Sequence, residues 1–201
     1  MDLCPITGSD CHCNKKLAAT REGSSLLIDL KGSLRFLFTD HTNLTSRLIE
    51  KQLPVLRYGA DSVAKRLLRN PSDIRKLIEP IVGAGLGKDI EQLFSDHLKL
   101  AAAVLPLLRN GSANLKQSID KFYAQGDDVA EGLTKINEIK LPYSETKKMM
   151  HLHNERVVKL ATLAFAEKED EFTKTYDAYY AHILKLADAI YIGLSTPFSS
   201  D

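Results

Sequence analysis

Apolar residues recur at steps of four and three along most of this chain, and this spacing limits what it can fold into. Leu30, Leu34, Leu37, Leu44 and Leu48 form one series. Ile90, Phe94, Ala101, Val104 and Leu108 form a second. Later series run from Leu115 to Ile136, from Met150 to Ala164 and from Phe172 to Ile190. Such spacing lines one face of an α-helix, whereas a strand would need strict alternation. No convincing strand pattern is present. The series predict an all-α fold: an antiparallel bundle of four long helices plus shorter connecting helices. They are too short and interrupted for an extended coiled coil.

Proline and glycine punctuate the pattern. Pro54 stops or restarts the first helix. A shorter helix is predicted over 55–69, Pro71 opens a brief one, and Pro80 ends it. The stretch "GAGLGKD" reads as an interhelix turn before a helix over 88–109, which Pro106 bends. It lacks the spacing of a phosphate-binding loop and the strand that should precede one. Gly111 reads as a C-cap and Ser112 as the following N-cap. Helices over 112–138 and 143–167 and a final tyrosine-bearing helix complete one domain, 25–196. Residues 1–24 read as a flexible cysteine-containing tail and 197–201 as a second tail.

The 201 residues carry a formal net charge of +1. Such a balance gives no global field for nucleic acid, which is not expected as the main partner. Lys65, Arg66, Arg69, Arg75 and Lys76 cluster without interleaved aromatics and read as a solvated face. No apolar run spans a bilayer, and no apolar leader segment opens the chain. The expectation is an intracellular protein not secreted by a signal peptide. The matches to the glycosylation sequon at Asn43 and Asn110 then read as chance.

Three of the apolar series contain a histidine where a leucine is expected: His41, His97 and His153. Burying an imidazole is costly unless its nitrogens find partners. In an antiparallel arrangement His97 and His153 lie about nine residues from their helix starts, roughly 13–14 Å along the axis. His41 comes to a similar height, as does the stretch near Asp127 to Val129. His41, His97, Asp128 and His153 are therefore the candidate metal ligands, for Zn²⁺, Fe²⁺ or Mn²⁺. The alternative is a hydrogen-bonded histidine layer with buried water. His182 falls about one turn from that level. Asp40 and Asp96 precede two of the histidines but point about 100° away on a helix, so neither pair is a dyad. Tyr176 and Tyr179 fit the seam of the last helix, where one of them could line the histidine layer.

All three cysteines sit in "CPITGSDCHC". Cys4, Cys11 and Cys13 could supply thiolates to zinc, but His12 is a poor fourth ligand and the usual knuckle spacing is missing. The expectation is a reduced tail that forms mixed disulfides in an oxidising particle. No serine, cysteine or lysine carries a local nucleophile signature.

The segments "RLLRNPSDIRKLIEP", "LFSDHLKLAAAVL", "DDVAEGL", "KKMMHLHNERV" and "YDAYYAHILKLADAIYIG" resemble an uncharacterised all-helical family. It occurs in bacteria and in large DNA viruses of amoebae, particularly marseillevirus-like ones. The resemblance covers roughly residues 26–195. His41, His97, Asp127, Asp128 and His153 match its histidine and aspartate places, and His182 and Asp188 match its ending. The family has no settled activity, so the resemblance implies a fold and a viral, virion-associated setting. Two functions follow as expectations. One is a non-enzymatic bundle acting through protein partners or self-association. The other is a bundle that binds a metal or small ligand at the histidine layer.

Overall fold

The computed structural model describes the backbone of residues 12–196 and the side chains of residues 29–196. Five helices follow one another: α1 (His12–Glu50), α2 (Ala60–Asn110), α3 (Leu115–Thr134), α4 (Tyr143–Phe165) and α5 (Glu169–Ser195). A short 3-10 turn, Pro54–Leu56, links α1 to α2. The described residues are 87% helical, and no strand occurs among them. The all-α bundle predicted from the apolar spacing is therefore the fold.

α2 is a hairpin. At Gly83 the backbone leaves helical geometry (φ 82, ψ 161), a region essentially reserved for glycine. The chain then returns along itself. Arg75 Nε reaches Glu91 at 2.7 Å, and a Cβ on Gly87 would sit 3.3 Å from that of Glu79. Both pairs are centred on residue 83. The predicted turn at "GAGLGKD" is thus present, with Gly85 and Gly87 already inside the second arm. The helix break expected at Pro71 is not. Pro71 lies within the first arm, which runs unbroken through it. Its neighbour Asn70 compensates by anchoring that arm to α1, donating from Nδ2 to the Leu37 carbonyl at 2.9 Å.

Cap geometry accounts for the other boundaries. Gly111 takes the left-handed conformation (φ 61) and closes α2, its N–H donating to Leu108 O while Ser112 N–H donates to Leu107 O. The expected cap at Ser112 moves two residues on: Asn114 precedes α3, and Ser112 Oγ accepts from its N–H at 3.3 Å. The predicted tail over 1–24 falls partly on residues 1–11, with Cys4 and Cys11, which lie outside the described residues. The backbone of 12–24, including Cys13, belongs to α1. Residues 197–201 also lie outside the described residues.

Each element packs on its chain neighbours, and α5 returns to α1, closing the bundle. The core has two apolar clusters. One contains Leu34, Phe38, Ile78, Ile90, Leu133 and Ile183. The other contains Leu44, Leu67, Leu98, Phe122, Leu160 and Tyr179. Along every helix the sequence passes from one cluster to the other through a polar or small residue. These residues are His41, Asn70, His97, Gly126, His153 with Asn154, and His182.

Candidate functional site: a buried imidazole layer

Helical periodicity brings the three seam histidines together as expected. The ring centres of His41 and His153 are 5.6 Å apart, and those of His153 and His97 are also 5.6 Å apart. His97 packs on Phe122 at 4.6 Å, and His153 on Tyr179 at 5.4 Å. His97 and His153 are only 3% and 4% exposed. His41 keeps part of its surface on solvent.

The layer borders a cavity lined by His41, His97, His153, Asn70, Pro71 and Met150 among others. About 20 Å³ of it can take the centre of a water-sized sphere. One such sphere needs roughly 10–15 Å³, so the space suits one water or one ion and no organic cofactor.

Electrostatics fixes the charge of the rings. Burial pushes His97 down to about 3, helped by the neighbouring His41 and opposed by Asn154. His153 is driven well below the usual imidazole range, again by burial first and then by His41, His97 and His182. His41 drops to about 4: the atoms packed round it desolvate the ring despite its exposed edge. At neutral pH all three rings are uncharged, the state in which imidazole donates an electron pair to a metal.

Several polar atoms here find no hydrogen-bond partner in the protein: both ring nitrogens of His97, Nδ1 of His153 and Oδ1 of Asn154. Asn154 lies close enough to His97 to influence its charge, yet neither group completes a bond by full geometry. Its Nδ2 is engaged, donating to Phe122 O at 3.1 Å. An unpaired buried polar group costs about 1–3 kcal/mol. Water or another guest that paired these atoms would stabilise the layer.

The carboxylate expected in the layer is elsewhere. Asp128 is exposed on α3. Its neighbour Asp127 faces outward, accepting from Lys147 Nζ at 2.8 Å and lying 2.6 Å from His151 Nε2. The axial height was right, but the angle about the helix axis was not. Gly126, one position earlier, is the α3 residue at the layer: a Cβ there would come within 2.7 Å of Asn154 Nδ2. Among the described residues, no three His, Cys, Asp or Glu side chains converge tightly enough to hold an ion without movement. The four proposed ligands therefore do not form one set, although the three histidines share a layer.

Four further residues belong to the site: Asn70, Asn154, Met150 and His182. His182 is buried beside the layer, with Nε2 3.0 Å from Met149 O. Its position one turn from the histidine level was legible from spacing. Nothing local marked the two asparagines, and Met150 read as an ordinary seam residue. Tyr179 is the seam tyrosine that meets the layer, whereas Tyr176 donates its hydroxyl to Asn43 Oδ1 at 2.6 Å. Asp40 and Asp96 turn away as expected, to Arg66 at 2.5 Å and Lys99 at 2.8 Å. In the basic cluster, Arg66 and Arg75 meet Asp40 and Glu91, while Arg69 and Lys76 share Asp73. No described helix is long and apolar enough to cross a membrane.

Comparison with protein families, curated proteins and solved structures finds no match to this chain.

Proposed function

We propose that the protein is a ligand-binding helical bundle that holds a single metal-sized guest in its imidazole layer. One observation carries this reading. The neutral rings of His97 and His153, with both nitrogens of the first and Nδ1 of the second lacking a partner in the protein, line a cavity with room for one small guest. The rest of each seam is apolar, so the rings set this layer apart from the core on either side. The chain is tested after purification without an affinity tag, by elemental analysis and by native mass spectrometry after exposure to Zn²⁺, Fe²⁺, Mn²⁺ and Cu⁺. One ion per chain, lost in His97→Ala/His153→Ala, is the expected result. Failure of all four ions to bind in that ratio overturns the reading.

A second reading, action through protein contacts without catalysis, is favoured by the turn between α1 and α2. Val55 is 87% and Tyr58 95% exposed there, where apolar side chains gain nothing from the fold. Val55→Asp/Tyr58→Asp should leave the melting temperature unchanged. A wild-type chain that sediments as a larger species than this variant supports the reading, and identical sedimentation counts against it.

A further inference from the structure

We infer that the layer is a site for monovalent copper, Cu⁺, held by His97, His153 and His41 with the thioether of Met150. The inference rests on the ligand-binding reading above and names its ligand. It comes from the donor set that the fold assembles. Met150 is 2% exposed, lines the same cavity as the three histidines and stands one turn before His153 on α4. A thioether is a soft donor that selects Cu⁺, whereas Mn²⁺ and Mg²⁺ prefer oxygen.

The missing carboxylate points the same way. Asp128 is exposed, and Asp127, Asp40 and Asp96 are all turned to cations or amides outside the layer. An ion here would carry its whole charge into the core. The Born cost grows as the square of the charge, so a divalent ion costs about four times as much as a monovalent one. Neutral imidazoles and a neutral thioether leave a net charge of +1 with Cu⁺ and +2 with Zn²⁺.

The spacing of the rings permits the site. With metal–nitrogen bonds of about 2.0 Å, two imidazoles on one ion have centres at most roughly 6 Å apart. Both neighbouring pairs, at 5.6 Å, fall inside that limit. The rings do not converge on one point as they stand, so binding needs them to turn toward a shared ion. Cu⁺ accepts two or three ligands, so His97, His153 and Met150 suffice, with His41 at the more exposed edge.

The test uses the full chain carrying Cys4→Ser, Cys11→Ser and Cys13→Ser, so that thiolates do not compete. Cu⁺ is titrated without oxygen against bathocuproine disulfonate, and Zn²⁺ is titrated separately. The expected result is one Cu⁺ per chain, bound more tightly than Zn²⁺. Met150→Leu preserves volume and should fold, as circular dichroism will verify. It should weaken Cu⁺ by at least the roughly tenfold that even an outer-shell partner is worth. X-ray absorption should show nitrogen and one sulfur around copper, with the sulfur lost in Met150→Leu and kept in Met149→Leu. Tighter Zn²⁺ than Cu⁺ binding, or Met150→Leu with unchanged affinity and spectrum, overturns the copper assignment and leaves the ligand-binding reading standing. Absence of binding by every ion overturns both.

Discussion

At the scale of single residues, the buried histidines make stability depend on pH with a definite sign. His97 and His153 have folded-state pKa values far below the ordinary 6.5. The charged and polar groups around them are His41, His182, Asn154 and Tyr179, none of which supplies a negative charge at neutral pH. Below pH 6.5 the unfolded chain takes up protons that the folded chain refuses. Stability contributed by the neutral rings is therefore full above pH 6.5 and falls as the pH drops, for His97 down to about 3. Each such histidine costs about 1.4 kcal/mol per pH unit over that window. Urea midpoints at pH 7, 6 and 5, measured with a chelator present, should fall in the wild type. The fall should be shallower in His97→Asn.

Two substitutions on α3 separate height from direction. Gly126→Ala forces a Cβ against Asn154 Nδ2 and should destabilise by about 1–3 kcal/mol, as overpacking does. Asp128→Asn, two positions away on the exposed side, should change stability by less than about 0.5 kcal/mol and leave ion binding intact. Denaturant titration reads the first effect, and the Cu⁺ competition reads the second. Equal effects from both would mean that the orientation of α3 is wrong.

At the scale of elements, the hairpin of α2 depends on one backbone angle pair. Gly83 has φ 82 and ψ 161, yet nothing lies within 4 Å of a Cβ built on it. The requirement is conformational and not steric. Gly83→Ala should cost about 1–3 kcal/mol by strain alone, measured as a lower denaturant midpoint with helical circular dichroism retained. Gly85→Ala has the same open surroundings but no positive φ and should be neutral or slightly stabilising. The contrast checks that the chain reverses at residue 83 and not elsewhere in the glycine-rich stretch.

At the scale of the whole molecule, two apolar clusters meet at a polar layer instead of merging. Replacing both members of a poorly satisfied buried polar pair by apolar groups is often neutral or stabilising. His97→Leu/His153→Leu should join the clusters and raise the stability of the ion-free chain by about 1–3 kcal/mol. It should also abolish the ion binding assigned to the layer. A large loss of stability would instead show that the histidines hold the bundle together and would remove the main physical ground for a ligand.

How much of this was legible beforehand follows from which quantities are local. The rise of 1.5 Å and the turn of 100° per residue are fixed by the backbone. Spacing alone therefore determined that the chain is helical, that His41, His97 and His153 lie in seams, and that they share one height. The turn near Gly83 was also marked, since glycine and proline act on their own residue. Other features depend on neighbours distant in the sequence. Pro71 continues a helix because α1 and the Asn70 anchor hold it there. Asp128 faces solvent because α3 turns Gly126 toward Asn154. Met150 becomes a cavity-lining donor because the arms of α2 and helix α4 pack against the same space. Height along a helix can be counted from residues, but which face of each helix turns inward is settled only when all the helices pack together.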